Sequence, residues 1–503
     1  MATTEPTTQE DPGVARRVAV STAAQGPTRV LQVVLNAWMT FVILDTFGEA
    51  RFGDYVLVLT VVTLVGLAVD SGLGQIAVRE VSRGEDEDGT LGTVVGMKLV
   101  YAAVGVIAVQ LVLTAFHPTT ELRLAGLCGV GIYIADAFLV VTATFQSRLQ
   151  QQYDALVRIV NVVAKTVTVV VLVTLGATLV PVMAAQMMIP IIGGILALVL
   201  VRRRFGVHLA FQRSRVGWLF GQSWYMGLSA FVALAWLRMD LIMIELLRDD
   251  RTELGVYGAA QQPLEYLVIA GSIITTLSLP LMSRYYGKDP DRYLTTHRRT
   301  LEVGLGLYGL IVVMAFAVGE DVLAIPSDGE FVAAYDPLRL LSLSMLAMGT
   351  AVWHAAVLLS ARLQRITIFV NFGSIGLGIM LNLLLIPRYG ITGAAAATLM
   401  TATSAAIASG IVAYRLTGVY PDWFRLLRIA AVVLVTGAVL YGLKESGVAW
   451  LALAVLGPVV YGALLVVTRS VDLGHLKSSL ENDDSDADAV DRDVDATDEV
   501  VAT

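Results

Sequence analysis

Four polar residues, Asp154, Arg158, Asn161 and Lys165, follow one another at steps of four, three and four. That spacing places all of them on one face of an α-helix. Lys165 stands about 16 Å further along the axis than Asp154, at 1.5 Å per residue. A fixed cation at such depth binds an anion strongly where the dielectric is low. Two arrangements satisfy the stripe. It can wall a wet lumen with phosphate as guest, or Lys165 can form a structural ion pair with a neighbour such as Asp136.

Other ionisable residues stand inside apolar runs. Arg29 lies in the first run, just after Gly26-Pro27, where a kink is expected. Its guanidinium can hold phosphate through two parallel bonds, or reach back to the aqueous interface along its apolar stem. Glu265 follows Gln261 and Gln262 by about one turn. It suits a coupling cation, sugar hydroxyls or a packed, hydrogen-bonded carboxyl. Asp70, Arg79 and Asp240 lie nearer the ends of their runs, where structural or gating ties are expected. His354 reads as a hydrogen-bonded core histidine, and Lys98 as a side chain snorkelling to the interface. Cys128 has no partner for a disulfide and no zinc-ligand spacing, so it reads as a small core residue. The five histidines are scattered, and no metal site is expected. Gly287-Lys288 lacks the upstream glycine and the Ser/Thr of a phosphate-binding loop. No cofactor and no nucleic-acid partner is expected.

The elements that position these residues follow from composition. The chain has 503 residues, 56% apolar and 15% charged, with a mean hydropathy of +0.72. Soluble domains carry about 25% charged residues, so charge this scarce points to lipid. A span needs roughly 20 apolar residues to cross ~30 Å of hydrocarbon. Breaking the runs at charges, Pro and Gly gives fourteen helices: 18–46, 54–79, 91–116, 122–147, 153–176, 179–201, 217–246, 254–283, 301–325, 337–361, 366–386, 391–414, 427–443 and 448–468. The fold class is therefore all-α integral membrane. With a cytosolic N-terminus, the inside segments hold 23 basic residues and the outside loops six. That bias obeys the positive-inside rule with both termini cytosolic. The polar first residues are unlike a signal peptide.

The basic linker 204–216 separates an N-lobe of six helices (18–203) from a C-lobe of six (217–416), with two more helices in 417–470. Residues 1–17 form a polar cytosolic start. The lobes echo one another weakly: Gly53-x-Tyr55 and Gly255-x-Tyr257 are 202 residues apart, and Asn161 and Asn371 are 210 apart. Six helices per repeat is an even number, which makes the repeats parallel, one of the transporter plans. Residues 471–503 end the chain in an acidic tail with little to bury, read as disordered. Lysine is rare against arginine, a bias that resembles salt-loving archaea. The acidic run Glu85-Asp86-Glu87-Asp88 reads as a solvated loop.

Several stretches resemble the polysaccharide flippases of the multidrug/oligosaccharidyl-lipid/polysaccharide exporter superfamily. "FGDYVLVLTVVTLVGLAVDSGLGQIAVRE" (52–80) is similar to that family's second helix, with Asp70, Gly72, Leu73 and Arg79. "MDLIMIELL" (239–247), which holds Asp240, and "LGVYGAAQQPLEYL" (254–267) resemble its seventh and eighth helices. "LNLLLIPRYGITGAAAATLM" (381–400) is similar to the turn between helices 11 and 12 in members that move lipid-linked sugars. The resemblance covers about residues 18–468. It implies two pseudo-symmetric six-helix lobes around a cavity that opens alternately to each side of the cytoplasmic membrane. The cargo it implies is a polyprenyl- or dolichyl-phosphate-linked glycan, for cell-surface glycan or protein glycosylation. The expected partners are this cargo, membrane lipids and a coupling ion, Na+ or H+; the expected oligomeric state is a monomer. Arg158, Asn161, Lys165, Arg29, Gln261 and Glu265 are the candidate substrate-binding residues. A related branch that flips a cell-wall lipid precursor carries two basic residues in its first helix; here Arg29 matches one and Leu35 replaces the other, so that cargo is not expected.

Two alternatives stand beside this reading. A cation-coupled small-molecule or drug exporter of the same superfamily would normally stop at twelve helices. A membrane-embedded glycan polymerase or glycosyltransferase would need paired carboxylates or a metal in a sizeable exposed loop. The longest outside loop here, about 326–336, is short, so no enzyme is expected.

Overall fold

The computed structural model describes residues 12–470 except 71, 85, 117 and 149. The acidic tail 471–503 and the first eleven residues lie outside the described residues. Among these residues the regular structure is entirely helical. In chain order it comprises α1 (Pro12–Asp70), α2 (Leu73–Ser82), α3 (Glu87–Thr114) and α4 (Thr120–Ser147). Then come α5 (Gln151–Thr174), α6 (Leu179–Phe205), α7 (Arg213–Arg248), α8 (Arg251–Tyr285) and α9 (Pro290–Leu323). A tight 3-10 stretch, Pro326–Ala334, leads to α10 (Tyr335–Ser360), α11 (Gln364–Thr417), α12 (Trp423–Glu445) and α13 (Trp450–Val467). The expected segments fall on helix, except that 54–79 is divided at Gly72 (φ 72°) between α1 and α2. Ten helices among the described residues are long and apolar enough to cross a membrane. Their outer faces expose Val100, Ile107, Leu111, Val167 and Val171, which suits acyl chains rather than water. The protein is a multi-pass helical membrane protein.

Two long helices are each two segments joined by a turn. In α1 the backbone leaves helical values at Gly48 (φ 68°), and in α11 at Gly390 (φ 57°). Both positive angles suit a residue without Cβ. The break expected at Pro387-Arg388-Tyr389-Gly390 thus falls on the glycine. The kink expected at Gly26-Pro27 does not interrupt the helix, which continues through Pro27 to Gly48. The Gly48 turn is held by the 3-10 stretch: Ser327 N donates to Asp45 at 3.0 Å, and Glu49 N donates to Glu330 at 3.3 Å.

The helices cluster into two compact units. One comprises the described residues up to Leu267, with Glu320–Leu341 and Ile368–Ser404. The other comprises Val268–Gly319, Ser342–Thr367 and the residues from Ala405. In the first unit, Gly53 and Gly255 mark a backbone crossing of α1 and α8. A Cβ at Gly53 would lie 1.9 Å from the Arg251 carbonyl oxygen, and one at Gly255 would lie 1.9 Å from that of Glu49. Small residues allow such an approach in membranes. The second unit packs Tyr461, Leu440 and Val313 in one core cluster and Met282, Tyr293 and Val357 in another.

The acidic loop before α3 is not merely solvated. Asp86 accepts from Gly89 N at 3.0 Å, capping the helix, and binds Gln212 and Arg215. The Gly89 amide, followed by the Gln212 side chain, holds the Asp86 carboxyl below its usual range. Glu87 pairs with Arg148 at 2.6 Å, and Asp88 accepts from His208 N at 2.9 Å. The His208, Gln212 and Arg215 contacts dock the segment after α6 onto the start of α3. A run of acids in sequence shows charge density but not the fixed amides that receive it.

Candidate functional site

A polar cleft runs along α1, the C-terminal end of α4, and α5, all in the first unit. Its outer pocket, about 220 Å³, is lined by Thr28, Arg29, Gln32, Gln146, Gln151, Asp154 and Arg158. An inner pocket of about 160 Å³ shares Gln32, Asp154 and Arg158 and adds Asn36, Thr142, Asn161, Lys165 and Pro190. The helical period of α5 therefore places its four polar residues on the cleft wall. On α1, Thr28, Gln32 and Asn36 step by four and present a matching face.

The cleft holds more positive than negative charge. Asp154 is buried, and its Oδ2 accepts from Arg158 Nε at 2.8 Å. The Arg158 side chain is itself 50% exposed and borders both pockets. An arginine placed this way can hold a carboxylate or phosphate oxygen pair. Arg29 is exposed and makes no ion pair among the described residues. Lys165 Nζ donates to Asn36 Oδ1 at 2.8 Å. The expected alternative, a pair between Lys165 and Asp136, does not form. Asp136 instead binds Lys98 at 2.5 Å, and Asp70 binds the same lysine at 2.5 Å. Lys98 therefore does not snorkel: its side chain is only 6% exposed, closed between carboxylates from α1 and α4. Once a buried lysine has two acids in reach, pairing satisfies it better than a stretch to the interface.

The remaining candidates lie apart from the cleft lining. Glu265 on α8 accepts from Arg238 on α7 at 2.8 Å, so this carboxylate is already matched by a cation. Gln261 and Gln262 are buried beside it along α8. Asp240 is buried and accepts from the Tyr257 hydroxyl and, at 3.5 Å, from Thr398. It thus ties α7, α8 and the second segment of α11 together. Arg79 pairs with Glu80 and reaches Gln222 on α7 at 3.4 Å. In the second unit, His354 lies 3.5 Å from Ser409 and packs its ring against His297. Cys128 is buried. No cluster of three metal-ligating side chains occurs among the described residues.

Sequence reasoning missed Thr28, Gln32, Asn36, Gln146 and Gln151. The first three carried a signal, their four-residue step on α1, but uncharged polar residues stand out weakly in an apolar run. Gln146 and Gln151 flank the α4–α5 turn, where polar residues are ordinary.

A profile of the family described as Polysaccharide biosynthesis protein matches residues 14–286. No curated protein matches the chain. Among solved structures, the chain is similar to the lipid II flippase MurJ in an inward closed conformation. The TM-score is 0.71 at 11% identity, over 90% of this chain and 99% of that one. An inward-facing multidrug resistance MATE family transporter of the MOP superfamily matches with a TM-score of 0.61 at 12% identity, over 77% and 94%. A point mutant of the Vibrio cholerae MATE transporter VcmN matches at 0.59 and 14% identity, over 80% and 96%. At such identities the likeness is one of fold. By the profile match over more than half its length, the chain belongs to the polysaccharide biosynthesis protein family, with the fold shared by MurJ and the MATE transporters.

Proposed function

We propose that this protein is a flippase that moves a lipid-linked oligosaccharide or polysaccharide precursor across the cytoplasmic membrane by alternating access. The observation that carries this reading is the cleft's charge: Arg29, Arg158 and Lys165 against Asp154 alone. Such an excess favours an anionic guest, and the phosphate joining a glycan to its lipid is one. A glycan cannot cross hydrocarbon unaided, because each hydroxyl stripped of water without a new partner costs about 2–7 kcal/mol. The cleft offers partners, with glutamines and asparagines for hydroxyls and two guanidinium groups for phosphate. The polyprenyl tail stays in the bilayer while two six-helix lobes, 18–203 and 217–416, rock to expose the head group outside. In this reading both termini are cytosolic, the protein works as a monomer, and an Na+ or H+ gradient or the membrane potential supplies the drive. Asp70, Arg79 and Asp240 hold helix ends together during the change.

The alternative, a cation-coupled drug exporter, draws support from the shared MATE fold. A cleft with surplus cations is poorly suited to cationic drugs, which makes it the second choice. The test is surface glycan in a deletion strain carrying Arg29→Ala or Lys165→Ala at equal protein level. We expect display to drop about tenfold or more, the scale of losing one partner in a desolvated charge contact. Unchanged display in both variants would overturn the reading.

A further inference from the structure

The two pockets of the cleft do not share all their cations. Arg29 lines the outer pocket and not the inner; Lys165 lines the inner and not the outer; Arg158 borders both. Along α5, Lys165 is about 10 Å beyond Arg158 at 1.5 Å per residue. Lys165 is half-buried, and its one hydrogen bond among the described residues is to a neutral amide, Asn36. Lys98, by contrast, is compensated twice. Within the inner pocket, Asn161 Oδ1 is buried and accepts no hydrogen bond among the described residues. Gly193 packs so closely that a Cβ there would come within 3.0 Å of the Asn161 amide. Asn161 is thus backed by α6, with one acceptor unsatisfied. A buried acceptor without a donor costs about 1–3 kcal/mol; a guest hydroxyl relieves it when the Asn161 amide, which borders the inner pocket, turns its oxygen outward.

The inner pocket therefore lacks an anion at Lys165 and a donor at Asn161. The two phosphates of a diphosphate link share a bridging oxygen, too close together to reach both Arg29 in the outer pocket and Lys165, about 10 Å beyond Arg158 along α5. A sugar bearing a carboxylate brings both, since it carries hydroxyls beside the charge. We infer that the inner pocket selects an acidic sugar near the lipid end of the glycan, its carboxylate on Lys165 and a hydroxyl on Asn161, with the linking phosphate at Arg29 and Arg158. This rests on the flippase reading and narrows it to glycans with an anionic sugar close to the phosphate.

The test uses the purified full-length chain in detergent and isothermal titration with glucose 1-phosphate, glucuronic acid 1-phosphate, orthophosphate and pyrophosphate. We expect glucuronic acid 1-phosphate to bind at least about tenfold more tightly than glucose 1-phosphate, as one added charge contact in a desolvated site allows. Lys165→Gln should collapse that ratio towards one and Lys165→Arg should restore most of it, with thermal unfolding verifying that both variants fold. Equal binding of the two sugar phosphates would overturn the inference and leave the flippase reading standing. A Lys165-dependent preference for pyrophosphate over orthophosphate, with none for the uronic acid, would also overturn it and assign Lys165 to a second phosphate. If none of the four binds, the anion-binding cleft itself falls, and the flippase reading with it.

Discussion

The Lys98 triad and the α5 cleft are made of the same side chains within one compact unit, yet they do different things. In the triad, one lysine lies between Asp70 and Asp136, two acids on neighbouring helices, with its side chain 6% exposed. In the cleft, Arg29, Arg158 and Lys165 border open space with one acid, Asp154, which Arg158 already binds at 2.8 Å. The first arrangement is matched within the protein and lines neither pocket of the cleft. The second has cations to spare beside volume to fill. An ion inside a membrane helix is costly wherever it stands, about 2.5–3.5 kcal/mol on insertion scales. What marks a binding site is therefore the charge that nearby partners leave unmatched.

The largest effect expected from this contrast is on folding. Lys98→Met leaves Asp70 and Asp136 without a cation, and should destabilise the protein by about 2–3 kcal/mol, at or below the lower end for breaking a buried pair, because the Asp136 side chain is 56% exposed. A thermal unfolding curve in detergent reads it. Adding Asp70→Asn and Asp136→Asn to Lys98→Met should recover about half of that loss, because a fully neutral cluster lacks the unpaired charge. No recovery would mean that the triad acts by packing instead. In the cleft, Arg158→Gln offers Asp154, which is buried, an amide in place of the guanidinium and should shift stability by about 1–2 kcal/mol, while glycan display falls about tenfold. A large stability loss would erase the contrast and make Arg158 a second structural ion. The smallest effect belongs to Asp154→Asn. The pair it forms is half-exposed on the arginine side, so its loss should cost below about 1 kcal/mol, measured by the same unfolding curve.

The helices were legible because apolar runs end at charges. The turn at Gly390 stands in Pro-Arg-Tyr-Gly, and Gly48 lies in the gap between two runs. The α5 stripe was legible because four residues kept a helical period, and the structure gathers Arg158, Asn161 and Lys165 with Arg29. Partner choice was not legible. Whether Asp136 meets Lys98 or Lys165 depends on the rotation and depth of three helices, which periodicity along one strand of sequence does not encode. The same holds for Glu265, whose partner Arg238 lies 27 residues earlier on α7. Gln32 and Asn36 escaped because an amide in an apolar run has the look of ordinary helix filler.

The linker docked on α3 has a bearing on where this protein can work. Much of its attachment consists of amides donating to oxygens of the α3 start: His208 N to the Asp88 carboxylate, Ala210 N to the Asp88 carbonyl and Gln212 Nε2 to the Asp86 carboxylate, alongside the side-chain contact with Arg215. In brine of about 1 M ionic strength, charges are screened beyond about 3 Å, which erodes an exposed pair such as Arg215 with Asp86. Short amide-to-carboxylate bonds depend far less on long-range attraction, so the strap should stay fastened in brines that loosen ordinary surface ion pairs.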